Sequence, residues 1–189
     1  MKRKDTQDLL DRMKKLLVDL KLKTAASELG PRLLKTGGEE ALPTVLDVIE
    51  MEAKERNDRR IERLRRLSHL PAGKTLDTLD QSRLPRALAQ KLEDLSAGGW
   101  VEEAANVLVF GLPGVGKSHA AAALGHALIE RGYSVLFTPT FRLVQELLAA
   151  KRDLELPRAL RKLDLFDVLV LDDIGYVSKR PRKSKSSSP

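Results

Sequence analysis

Eight residues in the middle of the chain, GLPGVGKS from Gly111 to Ser118, match the pattern G-x-x-x-x-G-K-[ST] at every fixed position. Glycines at Gly114 and Gly116 let a backbone turn tightly and approach phosphate groups closely. Because Pro113 has no N–H, the amides that face the phosphates come from residues 114–118, at the start of a predicted helix whose dipole favours an anion. The segment, with Leu112 and Val115 at its variable positions, therefore predicts a triphosphate-binding loop.

Two side chains of this loop carry complementary chemistry. Lys117 supplies a compact positive charge for the β- and γ-phosphates, and the hydroxyl of Ser118 is suited to coordinate Mg²⁺. A glycine-rich turn with a purely structural role would not need lysine and serine at this offset. We therefore predict that the chain binds ATP, or another nucleoside triphosphate, together with Mg²⁺.

A pair of carboxylates, Asp172 and Asp173, follows an apolar segment farther along the chain. If that segment is a parallel neighbour of the strand before the loop, both carboxylates emerge at the phosphate side of the sheet. Asp172 would then hold Mg²⁺ through water, and Asp173 would orient or deprotonate the attacking water, a role that glutamate fills more often. An acidic turn after a buried strand is the alternative interpretation.

The elements that must position these residues alternate between strand and helix. Apolar runs predict buried strands, an Ala/Leu-rich stretch predicts the helix after the loop, and Thr140 is placed to cap the next helix. The predicted strands are residues 106–110, 134–138 and 167–171, and the helix covers residues 118–131. We therefore expect an α/β fold with a parallel sheet of at least three strands.

Residues 1–70 have a helical pattern instead. Leu9, Met13 and Leu16 recur at helical spacing, Gly30-Pro31 is expected to end a second helix, and a third runs from about Gly38 toward Leu67. The predicted organisation is a helical region, a linker with one helix, an α/β core and a disordered tail of Ser, Lys, Arg and Pro, with the ranges 1–70, 71–99, 100–177 and 178–189.

The third helix carries four arginines on one face, at i, i+3, i+4 and i+7: Arg56, Arg59, Arg60 and Arg63. This geometry could follow a phosphate backbone and so contact DNA. Interleaved acidic residues could equally pair with the arginines and make an ordinary solvated helix surface. Both interpretations remain open at this point.

Composition excludes several other classes of protein. The chain has no cysteine, and its three histidines form no ligand cluster, so His119 and His126 are expected to be packing or surface residues without a structural metal. No apolar run approaches the roughly 18 residues that a bilayer span requires, and we expect a cytoplasmic protein with no membrane contact.

The net charge of +7 comes from the two ends of the chain. Trp100 is expected in the core or beside the nucleotide base.

Several longer segments resemble one family. The stretches GLPGVGKSHAAAALGHALIERGYSVLFT, FRLVQELLAAKRDLELPRALRKLDLFDVLVLDDIGY and LPAGKTLDTLD are similar to those of the IstB-like ATP-binding proteins, over about residues 5 to 177. The resemblance implies an AAA+-type P-loop NTPase with a three-layer α/β/α core and an N-terminal helical domain. It also implies an ATPase of insertion sequences that assists a transposase and assembles with itself on DNA.

By position, the resemblance assigns phosphate binding to Gly111 through Lys117, with His119 adjoining, Mg²⁺ to Ser118 and Asp172, and the catalytic carboxylate to Asp173, with Lys117 assisting. After Val177, however, the further helices, two strands, sensor residue, arginine finger and lid of that family do not follow. We therefore expect an incomplete core from a truncated or frameshifted reading frame, exposed strand edges, and weak or absent hydrolysis, since an arginine finger alone contributes roughly 10³–10⁵ in rate.

Two other functions compete with the transposition helper. A DnaC-like helicase loader would use the same loop and grip a replicative helicase through the N-terminal helices. A non-catalytic DNA-binding or interaction fragment would use the arginine face and the basic tail and would bind DNA independently of ATP.

Overall fold

The computed structural model of the chain describes residues 3–80, 82 and 84–174. By internal contacts the chain divides into two compact units, Met1–Glu62 and Arg63–Pro189. The predicted basic tail, residues 178–189, lies outside the described residues. No described helix is both long enough and apolar enough to cross a membrane.

The first unit is helical, as the sequence predicted. It contains α1 (Arg3–Asp19), α2 (Lys23–Lys35), a 3-10 helix (Gly38–Ala41) and most of α3 (Leu42–Ser68). Its buried residues lie four positions apart on α1 and on α3: Met13 and Leu17, and Leu42 and Leu46. Apolar residues of α2 pack against them. The apolar stripes of these helices therefore bury against one another.

The second helix does not end at Gly30-Pro31, which corrects the prediction, but continues to Lys35. Gly30 is buried, and an added Cβ would lie 3.0 Å from Cδ2 of Leu10, so α1 and α2 approach closely at this point. Pro31 removes the hydrogen bond to the carbonyl of Ser27. Because Ser27 is exposed, water can replace that bond, and the helix continues past the proline.

The second unit begins within α3 and carries two strands and five further helices in its described residues. They are α4 (Arg86–Ser96), α5 (Gly99–Glu102), α6 (Lys117–Glu130), β1 (Val135–Pro139), α7 (Thr140–Arg152), α8 (Leu156–Leu163) and β2 (Val168–Asp172). Helix α6 packs against both strands and against α4, and α7 packs against β1 and α8. An α/β core is therefore present, in an incomplete form.

Strands β1 and β2 are parallel, and side chains at their first ends fix the register. Val135 lies opposite Val168, and Pro139 lies opposite Asp172. Just before the strands, the carboxylate of Asp167 accepts hydrogen bonds from the amide and the hydroxyl of Ser134, each 2.7 Å long. The amide of Asp167 donates to the Ser134 hydroxyl in return, at 2.9 Å. This reciprocal pair aligns the two strands from their first residues.

The predicted strand at residues 106–110 is wrong for the described structure, which has a sheet of two strands where at least three were expected. Residues 105–112 have no regular secondary structure, and the Leu108 and Phe110 side chains are 67% and 85% exposed. A strand requires a neighbour for its backbone hydrogen bonds, and neither β1 nor β2 pairs with residues 106–110.

The carbonyls at the end of α4 are satisfied by side chains from later in the chain. Nε1 of Trp100 donates to the carbonyl of Leu95 at 2.8 Å, and Nε of Arg131 donates to the carbonyl of Ser96. Gly98, which follows the helix, has φ of 87° and lies against the ring of Tyr133. The turn between α4 and α5 therefore depends on a residue without a side chain.

Substitution of this turn glycine tests the packing. In Gly98→Ala the added Cβ would lie 2.5 Å from Cε2 of Tyr133 and would occupy a left-handed backbone conformation. We expect the free energy of unfolding, measured by urea denaturation, to fall by about 1–3 kcal/mol. The neighbouring Gly99→Ala is the control, because nothing lies within 4 Å of its added Cβ and Gly99 begins a helix. Equal stability of the two variants would contradict the described turn.

Candidate functional site

The loop from Gly111 to Ser118 has the tightly turned backbone conformation that its glycines predicted. Gly114 and Gly116 adopt positive φ values of 81° and 89°, and α6 begins at the next residue, Lys117. Both glycines have open space where a Cβ would stand, so backbone conformation, rather than crowding, requires glycine at these positions. The loop therefore turns directly into the first turn of α6.

The first turn of α6 offers backbone donors. The amide of Ala120 makes the first helical hydrogen bond, 2.9 Å to the carbonyl of Gly116. The amides of Lys117, Ser118 and His119 precede it, so helix geometry gives them no partner within α6. Three adjacent N–H groups at a positive helix end form an arrangement suited to phosphate oxygens.

The ammonium group of Lys117 lies across the loop. Its Nζ donates a 2.8 Å hydrogen bond to the carbonyl oxygen of Leu112. The carbonyl is a neutral acceptor, whereas a phosphate oxygen is an anionic one that makes a stronger, charge-assisted bond. Lys117 is thus held at the loop by a contact that a phosphate could replace.

The structure brings together the two residues predicted to bind the metal. Oγ of Ser118, on α6, donates a 2.8 Å hydrogen bond to Oδ1 of Asp172, the last residue of β2 and 54 positions away in sequence. A hydroxyl and a carboxylate oxygen are ligands that Mg²⁺ prefers. The donor set is therefore chemically suited to Mg²⁺.

Thr140 contributes a contact that the sequence did not predict. Its hydroxyl does not cap α7; Pro139 occupies the N-cap position, and Oγ1 of Thr140 donates at 2.8 Å to the backbone carbonyl of Asp172. The next residue, Asp173, is exposed and has φ of 54°, a left-handed value that is uncommon for aspartate. Thr140 therefore holds the peptide at which the chain turns from β2 to Asp173. In the sequence, the only signal for this contact was that a hydroxyl residue, Thr140, directly follows the strand β1.

An apolar cleft of about 640 Å³ lies beside the loop. Helix α4, residues 105–110, Val115–Lys117 and one face of α6 line it. Trp100 also lines the cleft while its indole nitrogen is bonded to α4, so it combines packing with a position in the cleft wall.

Both histidines of α6 are packing residues. Nε2 of His119 lies 3.1 Å from Oγ1 of Thr78 and 3.3 Å from the carbonyl oxygen of Thr75. Nε2 of His126 lies 3.1 Å from the carbonyl oxygen of Pro71. The His119 imidazole is therefore engaged away from the loop, and the part of this residue that remains for a phosphate is its backbone amide.

The four arginines proposed for DNA contact lie on α3 and are exposed. Arg56 pairs with Glu52 and also donates to the carbonyl of Leu20 at 3.3 Å. Arg59 pairs with Glu55 at 3.7 Å. Arg60 lies about one helical turn after Arg56, and Arg63 lies just under two helical turns after Arg56. The i,i+4 pairs expected of a solvated helix surface are therefore present for at least two of the four.

Comparison with known proteins gives consistent matches. The family model described as IstB-like ATP binding protein matches residues 15–184. A putative insertion sequence ATP-binding protein of Sinorhizobium fredii is 45% identical over 168 residues, which are 87% of this chain and 56% of that protein. The putative ATP-binding proteins of insertion sequence IS21 in Pseudomonas aeruginosa and IS1162 in Pseudomonas fluorescens are 37% and 40% identical, over 68% and 69% of this chain and 49% and 57% of theirs.

The chain thus spans about half the length of the curated relatives it matches. The match nevertheless includes the loop, α6, both strands and the Asp172 carboxylate, and the family model covers most of the chain. This chain belongs to the IstB-like ATP-binding protein family.

Proposed function

We propose that this chain binds ATP with Mg²⁺ at Gly111–Ser118 and serves as an ATP-dependent helper in the transposition of an insertion sequence. The observation that carries the proposal is the 2.8 Å contact between Ser118 and Asp172, because it joins the loop to β2, the strand that leads into the paired carboxylates. ATP binding by the family supports the choice of nucleotide.

Each residue of the site has a separate role in this proposal. Amides of Gly114 through Ser118 bind the phosphate oxygens, and Lys117 gives up the Leu112 carbonyl to bind the β- and γ-phosphates. Ser118 and Asp172 hold Mg²⁺, with Asp172 acting through a bound water. When bound, the ion neutralises charge that develops on the phosphates.

Asp173 is proposed to orient the attacking water. It carries no hydrogen bond or ion pair within the described part of the chain, so its carboxylate is available to a water molecule. Its side chain is one methylene shorter than that of the glutamate more usual in this role, and we propose that hydrolysis is slow for this reason.

The apolar cleft is proposed to receive the nucleotide base. It adjoins Gly116 and Lys117, and its lining combines aliphatic side chains with two aromatic rings, those of Trp100 and Phe110. A purine presents two flat faces that such walls can cover, while the phosphates extend to the loop.

The biological setting is proposed from the relatives. Several are named as ATP-binding proteins of insertion sequences, which favours a transposase as partner over the replicative helicase of a loader. We propose that the chain acts on DNA and assembles with itself there. A non-catalytic DNA-binding fragment would not need the Ser118–Asp172 contact, and that contact favours the nucleotide-dependent function.

DNA is proposed to contact the exposed arginines of α3. Exposed i,i+4 ion pairs contribute only about 0.3–0.5 kcal/mol, so the pairs of Arg56 and Arg59 do not prevent exchange of a glutamate for a DNA phosphate. No base-reading motif is evident in the sequence, and we expect contacts to the phosphate backbone.

Removal of the loop lysine tests the central proposal. In Lys117→Ala we expect ATP to bind roughly 10- to 100-fold more weakly by isothermal titration calorimetry, because a charge-assisted hydrogen bond to the phosphates is lost. Lys151→Ala, which removes an exposed lysine of α7, should keep the wild-type affinity. The proposal fails if the wild-type chain has no ATP affinity or if the two variants bind alike.

The metal site is tested by comparing ATP affinity in Mg²⁺ with affinity in EDTA. Asp172→Asn retains an oxygen that can accept the Ser118 hydrogen bond but removes the charge, and Ser118→Ala removes the hydroxyl. Both variants should lose most of the increase in affinity that Mg²⁺ gives the wild type. Asp164→Asn, on an exposed residue after α8, is the control and should keep it. An undiminished response to Mg²⁺ in Asp172→Asn would exclude this carboxylate from the metal site.

The DNA contact is tested by the salt dependence of binding to a labelled duplex. If Arg59 contacts a phosphate, Arg59→Ala should weaken binding to all sequences alike and reduce the slope of log K against log salt by about 1. Arg142→Ala is a matched control, because Arg142 also forms an exposed i,i+4 pair, with Glu146 on α7. Identical slopes for the wild type and both variants would leave Arg59 with a structural role alone.

A further inference from the structure

The two histidines of α6 lie seven residues apart, so their side chains share one face of the helix. Both direct Nε2 at the same preceding stretch, residues 70–78, which we term the strap. His126 meets Pro71 near the start of the strap, and His119 meets Thr75 and Thr78 toward its end. The strap therefore runs along α6 in the opposite direction to the helix.

The acceptors determine which ring nitrogen carries the proton. The oxygens of Pro71 and Thr75 are backbone carbonyls, which can only accept, so Nε2 must be the donor in both histidines. Each imidazole thus donates from Nε2 and reaches from the helix to a carbonyl of the strap.

Close packing beside the His126 hydrogen bond is a second, independent observation. At Gly125, next to His126, an added Cβ would lie 2.8 Å from Cδ2 of Leu70 and 3.5 Å from Cγ1 of Val135. Leu70 therefore lies directly on the helix backbone, with β1 beside it. This contact fixes the start of the strap against α6.

The end of the strap is closed by a single hydroxyl. Oγ1 of Thr78 donates to the carbonyl of Gly73 at 2.6 Å and accepts from the amide of Thr75 at 2.9 Å. His119 adds its Nε2–H to this closed turn. This turn is therefore stabilised by its own hydrogen bonds, and the imidazole of His119 adds one more contact to it.

His119 immediately follows Ser118 and lies in the first turn of α6, which also carries Lys117. We propose that His119 is a positioning residue: by fastening the first turn of α6 to the strap, it holds the Lys117 and Ser118 groups in the orientation that binds the triphosphate. His126 fastens the strap two turns farther along, where no phosphate-binding group lies. The proposal rests on the proposed ATP binding.

The test compares three variants of the full chain by ATP affinity in Mg²⁺ and by hydrogen exchange of residues 70–78. His119→Ala should weaken ATP binding by roughly five- to tenfold, the effect of one lost hydrogen bond, and should raise exchange in the strap. His119→Gln, whose side-chain amide can donate to the same carbonyl, should recover most of the affinity. His126→Ala should raise strap exchange while ATP affinity stays within about twofold of the wild type.

Two results would overturn the proposal. The first is an unchanged ATP affinity in His119→Ala although exchange shows the strap released, since the strap would then have no influence on the loop. The second is strap exchange that neither alanine variant alters, which would mean that the histidines do not fasten it. A wild-type chain without ATP affinity refutes nucleotide binding, and with it the role of His119, whereas the exchange data still decide whether the histidines hold the strap.

Discussion

The register between β1 and β2 is the constraint on which the candidate site depends. Two parallel strands shifted by one residue would turn every side chain to the opposite face of the sheet. The Ser134–Asp167 pair sets this register at one end, and at the other end it places Asp172 opposite Pro139, beside Thr140. From that position the carboxylate of Asp172 reaches the hydroxyl of Ser118 on α6. A polar contact at the start of the strands thus determines the geometry at their ends.

Local features of the site could be predicted from the sequence because their causes are local. The loop conformation follows from Gly114 and Gly116, and the start of α6 follows from the Ala-rich run after Lys117. The two predicted strands at 134–138 and 167–171 appear one residue later, at 135–139 and 168–172. The sequence also predicted that Ser118 and Asp172 meet at one edge of a parallel sheet, but it placed the strand of Asp172 beside a strand at 106–110, whereas its neighbour in the described residues is β1.

Features that depend on distant partners could not be predicted in the same way. The apolar run at 106–110 indicates burial, but a strand exists only where another backbone supplies hydrogen bonds, and the sequence of the run contains no information about that neighbour. Pro31 appeared to be a helix end because the prediction could not include the contact of Gly30 with Leu10. The hydroxyl of Thr140 was assigned to its own helix, whereas it bonds 32 residues away.

The acceptors that receive the two histidines of α6 have a consequence for how this sequence can diverge. Because His119 and His126 bond to main-chain oxygens at Thr75 and Pro71, nearly any residue could stand at those two positions and still offer the same acceptor. The donors have no such freedom, since few side chains can present an N–H at that reach. Mutational tolerance should therefore be unequal on the two sides of the contact: broad at positions 71 and 75, and narrow at the two helix positions and at Thr78, whose hydroxyl closes the turn.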